Sequence, residues 1–217
     1  MTSPAPPPTA RPKPRLRGVS HAFGAFFAAF AAIVLSGATL DPSVETALQI
    51  YGTCLVLLFG VSAIYHVPMW MPEARTRLRR VDRSMIYVFV AGTYTPILEL
   101  LGDGISPHTA AIVWTAALIG IVLTLFFSHL PRYVTVGPYL VLGWGALAIL
   151  PPILERFGEE PFWLILIGGL AYSVGAIIYA RRSPDPAPRT FGYHEIFHLL
   201  VLLAAACHYE AIRIMVH

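Results

Sequence analysis

Seven runs of apolar residues, each near the length that crosses a bilayer, divide this 217-residue chain almost end to end. They cover about 19–40, 46–69, 83–101, 108–128, 134–154, 161–180 and 194–215. About 20 apolar residues in a helix span the hydrocarbon core of a membrane. Turn and breaker residues separate the runs: Asp41-Pro42, Met71-Pro72, Gly102-Asp103-Gly104, Leu130-Pro131, Gly158-Glu159-Glu160-Pro161 and Ser183-Pro184-Asp185-Pro186. No run alternates as a barrel strand does, and backbone in lipid must satisfy its own hydrogen bonds. The expected fold is an all-α membrane protein, a seven-transmembrane helical bundle. Composition agrees, because only 12% of residues are charged against about 25% in soluble domains.

Charge orients the bundle. With the N-terminus cytoplasmic and the C-terminus outside, 13 of the 15 basic residues fall on the cytoplasmic side. They sit in the tail, in the loop from Met71 to Asp82 with Arg83 at its edge, at Arg132, and between Arg181 and Arg189. The acids Asp41, Glu45, Glu99, Asp103, Glu155, Glu159, Glu160 and Glu210 lie on the other side. That is the positive-inside pattern, and it accounts for the net charge of +3 without nucleic acid as a partner. Residues 1–17, rich in proline and arginine, read as a disordered cytoplasmic tail; residues 18–217 form the membrane domain. The tail could instead be the basic start of a signal peptide cut near Ser36-Gly37-Ala38. The run from Val19 to Leu40, however, is long enough to span. Cys54 and Cys207 are isolated in apolar runs and read as packing residues.

The seventh run opens with Gly192-Tyr193-His194-Glu195-Ile196-Phe197-His198. His194 and His198 are four apart and share one helix face. The topology sets them in the first two turns at the cytoplasmic end. Run two ends at that face with Ser62-Ala63-Ile64-Tyr65-His66, and run three begins there with Asp82. A single membrane histidine is most often a packing or hydrogen-bonding residue. Three at one depth, two of them at i,i+4, point to metal, with His66, His194 and His198 as zinc ligands and a fourth position kept for water. A zinc-bound water can attack a carbonyl near neutral pH. Asp82 could orient that water or take its proton, or could cap run three. Ser62, one turn before His66, could steady an oxyanion, fix a ligand's second nitrogen, or merely pack. His21 has the right depth for ligand or supporting partner, and the second is expected. His208 lies roughly 15 Å beyond His198 along the helix and belongs to a hydrogen bond or a cavity wall. His108, His129 and His217 read as interfacial or terminal.

These blocks, with Arg80-Val81-Asp82-Arg83-Ser84 running on to Ala91-Gly92-Thr93-Tyr94-Thr95-Pro96, resemble the hemolysin III family. That family sits with the progestin and adipoQ receptors (PAQR) in a superfamily that includes alkaline ceramidases. Gly143-Trp144 and Gly168-Gly169-Leu170-Ala171-Tyr172 fit the same pattern, and the likeness covers about residues 18–215. It implies a multi-pass cell-membrane protein, in a bacterium an inner-membrane one. It also implies intramembrane zinc held by His66, His194 and His198, with Asp82 reaching the zinc-bound water and Ser62 nearby. Run one departs from the family: Arg17-Gly18-Val19-Ser20-His21-Ala22 stands where an acidic pair and a Thr-His-Gly-like motif are usual.

The function so implied is hydrolysis of a lipid acyl amide or ester, as ceramidases perform, with a membrane lipid as substrate or ligand. Asp82 and Ser62 would be the catalytic residues. Two other functions share the features: a sensor of membrane state with structural zinc, and membrane permeabilisation as the family name suggests. A pore wants a polar stripe through the whole bundle, whereas the polar residues here gather at one end.

Overall fold

The computed structural model describes residues 13–102, 105–127 and 132–217. Residues 1–12 of the expected tail, Asp103, Gly104, Ser128, His129, Leu130 and Pro131 lie outside the described residues. The order is α1 (Val19–Ser36), α2 (Pro42–His66), α3 (Pro72–Leu101), α4 (Thr109–Phe126), α5 (Arg132–Trp144), a 3-10 turn (Gly145–Ala148), α6 (Leu150–Phe157), α7 (Glu159–Arg181) and α8 (Tyr193–Val216). Among the described residues there is no β-strand, only an isolated antiparallel bridge between Ala187 and Phe191. Six helices among the described residues are long and apolar enough to cross a membrane, and the bent pair of Gly137–Ala148 and Leu150–Phe157 makes a seventh when it is counted as one span.

Two of the seven runs differ from their expected form. Run three is helical from Pro72, eleven residues before its apolar part begins. Proline suits the first position of a helix, and the arginine-rich stretch that follows consists of good helix formers. Charge ends membrane burial, not the helix. Asp82 therefore lies well inside α3, and Met71 occupies its N-cap, so Asp82 is not a cap. Run five is broken. Pro151 and Pro152 have no N–H to continue a helix but are accommodated in the first turn of α6, and the chain bends by 43° there. The break is tied to its neighbours by polar groups. Tyr94 of α3 donates to the Leu142 carbonyl at 2.9 Å, and Trp144 donates to Ser173 of α7 at 2.9 Å.

Helices adjacent in sequence pack as pairs, α1 with α2, α2 with α3, α3 with α4, and α7 with α8; α8 also touches α1 and α3. The outer faces are apolar and open, as at Phe26, which is 73% exposed. That surface suits lipid rather than water. Inside, Ser84, Thr93 and Thr124 each bond the carbonyl four residues back, which satisfies a hydroxyl without a partner helix. The buried histidines have no such local solution.

Close helix approach sets one test. A Cβ on Gly92 would come within 2.7 Å of the Cys54 Cβ on α2, whereas one on Gly60 would meet nothing within 4 Å. Gly92→Leu should lower stability by about 1–3 kcal/mol through overpacking, read as a fall in the thermal midpoint in detergent. Gly60→Ala should leave the midpoint unchanged or raise it.

Candidate metal centre

The α2 C-terminus and the α8 N-terminus meet at one end of the bundle. His66 and His194 face each other with their Nε2 atoms 3.2 Å apart. The His198 ring centroid is 4.6 Å from that of His194 and 4.9 Å from that of His66. One ring nitrogen from each of the three lies within 4.8 Å of the others. Ligands of a tetrahedral ion with bonds of 2.0–2.1 Å stand roughly 3.3 Å apart, a spacing the His66–His194 pair already has. His198 is 2% exposed, and its Nδ1 is buried with no hydrogen-bond partner. An orphaned buried polar atom is costly. These three side chains could hold a metal ion.

The surroundings fix the rings. His21 stacks on His198 with centroids 3.8 Å apart and planes at 7°. Its Nδ1 is 2.8 Å from the Ser62 hydroxyl, and its Nε2 is 3.2 Å from the His198 carbonyl. With both nitrogens engaged, His21 supports the cluster and does not join it. Ser62 is brought to the site but bonds His21 rather than the second nitrogen of one of the three clustered rings. The Asp82 Oδ2 is 3.9 Å from His66 Nε2, beyond a direct hydrogen bond and within reach through one water.

Three further groups had no weight in the sequence. Glu195, between the two α8 histidines, is 3% exposed and accepts from the Gly192 N–H at 2.8 Å. Its other oxygen pairs with Arg17 at 2.5 Å. The spacing Gly192-x-x-Glu195 is that of a capping box and could have flagged the glutamate; nothing local flags a partner 178 residues away. Tyr179 of α7 sits edge-on to His194 at 5.5 Å. Just before α1, Arg15 and Leu16 donate backbone hydrogen bonds to the Arg189 and Thr190 carbonyls. Gly18 follows with φ of 83°, so close to His66 that a Cβ there would lie 2.5 Å from the His66 Cβ.

A cavity leads away from the centre. His21, Ser62, Asp82, His194 and His198 line one end, and Phe89, Ile97, Leu147, Leu166 and His208 line the rest. It holds about 1720 Å³ of space not filled by atoms, counting its open part. His208 bonds the Ile165 carbonyl at 3.2 Å, so it is both hydrogen-bonded and a cavity wall. Cys54 is buried and Cys207 half-buried, both as free thiols.

Fold and cluster together define a class: a multi-pass helical membrane protein with a three-histidine cluster at one end of its bundle and a mainly apolar cavity beside it. The haemolysin-III related family model matches residues 9–209. Hemolysin-3 of Bacillus cereus is 32% identical over 195 residues, 87% of this chain and 84% of that protein. Monocyte to macrophage differentiation factor of Homo sapiens is 30% identical over 171 residues, 75% and 67% of the two chains. Adiponectin receptor protein of Drosophila melanogaster is 28% identical over 203 residues, 80% and 45%. The chain belongs to the haemolysin-III related family, and it is a multi-pass cell-membrane protein.

Proposed function

We propose that this protein is a zinc-dependent membrane hydrolase that cleaves the acyl amide or ester of a lipid. The observation that carries the proposal is the meeting of two unlike features: a histidine cluster with a nearby non-bonded carboxylate, and a long apolar cavity opening from it. His66, His194 and His198 would hold the ion. Zinc, when bound, polarises carbonyls and activates water at neutral pH. Asp82, 3.9 Å from His66 Nε2, is placed to take a proton and pass it to the leaving amine or alcohol. The Ser62 hydroxyl, 2.8 Å from His21 Nδ1, lines the same cavity as Asp82 and would steady His21 beside it. Phe89, Ile97 and Leu166 offer an acyl chain the apolar wall it needs. The charge asymmetry of the sequence puts this end of the bundle at the cytoplasmic face.

A sensor with structural zinc is the second reading, and one observation favours it. The ligands come from α2 and α8, so one ion would tie together two spans far apart in the chain. Metal removal separates the two. Purified protein, with zinc measured in the same preparation, is assayed for fatty-acid release from a panel of acyl amides and esters. A chelator should stop release and added zinc should restore it. Loss of thermal stability on chelation, with no release from any lipid before or after, would leave only the structural role.

A further inference from the structure

The cavity wall supplied by α3 changes character along its length. Arg79, Asp82 and Arg83 line it first, followed by Ile86, Phe89 and Ile97. These positions recur at spacings of three, four and seven or eight and make one continuous face of the helix. Arg79 and Arg83 are one turn apart, about 6 Å along the axis. Arg83 reaches across to α7, its Nη2 donating to the Tyr179 hydroxyl at 3.3 Å, and further guanidinium N–H groups are left for a ligand. Among the described residues neither arginine has a carboxylate within ion-pair distance. Asp82 is the one acid among the lining residues.

We propose that the cavity takes an acyl lipid whose head group carries a phosphate, held by Arg79 and Arg83 with the acyl chain running inward along α3. Guanidinium groups bind phosphate through paired, charge-assisted hydrogen bonds. A basic flank at a membrane face needs no particular helix face. Arg75 and Arg77, which do not line the cavity, serve that purpose as well. Arg79 and Arg83 instead share the cavity face with Asp82, so the phosphate would sit within a turn of the carboxylate. In a phospholipid the acyl carbonyl lies only a few bonds from the phosphate, which sets it toward the histidines.

The inference rests on the lipid site proposed above, but its test is binding rather than turnover. Phosphatidate and diacylglycerol with the same acyl chains are titrated into the full chain in detergent, both chelator-treated and zinc-loaded. Phosphatidate should bind about tenfold tighter or better. The ratio should fall toward one in Arg83→Gln and by several-fold in Arg79→Gln, and should be kept in Arg77→Gln. Arg83→Lys should retain part of it, which separates charge from general damage. Inorganic phosphate should displace the lipid poorly; displacement at concentrations matching the lipid would make free phosphate the ligand and overturn the proposal. A wild-type ratio within twofold of one, or a ratio untouched by both glutamine variants, would overturn it too. Protein that keeps the ratio but hydrolyses nothing defeats the hydrolase and leaves the head-group site standing. Protein that cleaves both lipids without preferring either does the reverse.

Discussion

Replacing Asp82 with alanine should leave bound metal at the wild-type level and lower lipid hydrolysis by at least about a hundredfold. The two effects separate because the carboxylate stands beside the cluster without belonging to it. Its Oδ2 is 3.9 Å from His66 Nε2, but the ligand atoms that lie within 4.8 Å of one another belong to the three histidines and not to Asp82. General acid–base catalysis by a placed side chain contributes a factor of roughly 10²–10⁴. Asp82→Asn keeps the shape and removes the proton acceptor, so it should match the alanine variant in turnover. Elemental analysis and fatty-acid release on one preparation decide the matter. Full turnover without the carboxylate would remove Asp82 from the mechanism, and loss of metal would make it a ligand.

The second large effect falls on His198. Its alanine variant should lose metal and, with it, the stabilisation that metal confers. An ion present at a thousand times its dissociation constant stabilises the folded state by about 4 kcal/mol. Wild-type protein should therefore melt well below its usual midpoint after chelation and recover with zinc, while His198→Ala should not respond to either. The variant also loses the stacked contact with His21 at 3.8 Å, so its metal-free midpoint should fall below that of metal-free wild type. His208→Ala is the control. It removes a buried histidine from the same helix and the same cavity, but roughly 15 Å from His198, and should keep its metal. A chelation response in His198→Ala equal to wild type would dissolve the proposed centre.

Much of this architecture is legible in the residue order. Hydropathy marks the spans because each must bury about 20 residues in lipid whatever its neighbours do. The fifth run carries a weaker signal. Its composition is apolar enough for one straight helix, yet Pro151-Pro152 starts a second one, and the carbonyls at the break are met by Tyr94 from another helix. Asp82 stands where hydropathy would start the helix, but hydropathy stops at the membrane edge while α3 continues back to Pro72.

Within the site, the division follows the range of each interaction. His194 and His198 meet by helix periodicity alone, and the sequence by itself determined that pair together with the end of the bundle it shares with His66. Tertiary structure decided the rest. It brought His66 Nε2 to 3.2 Å from His194 and spent both His21 nitrogens on Ser62 and the α8 backbone. It also closed Arg17 on Glu195 across 178 residues. Periodicity and hydropathy describe one helix at a time, whereas these contacts depend on how α1, α2 and α8 rotate against each other as they pack. The oddity of two histidines on an apolar helix could be seen in the chain; the third histidine's contact and the partners that hold the rings appear only when the helices are together.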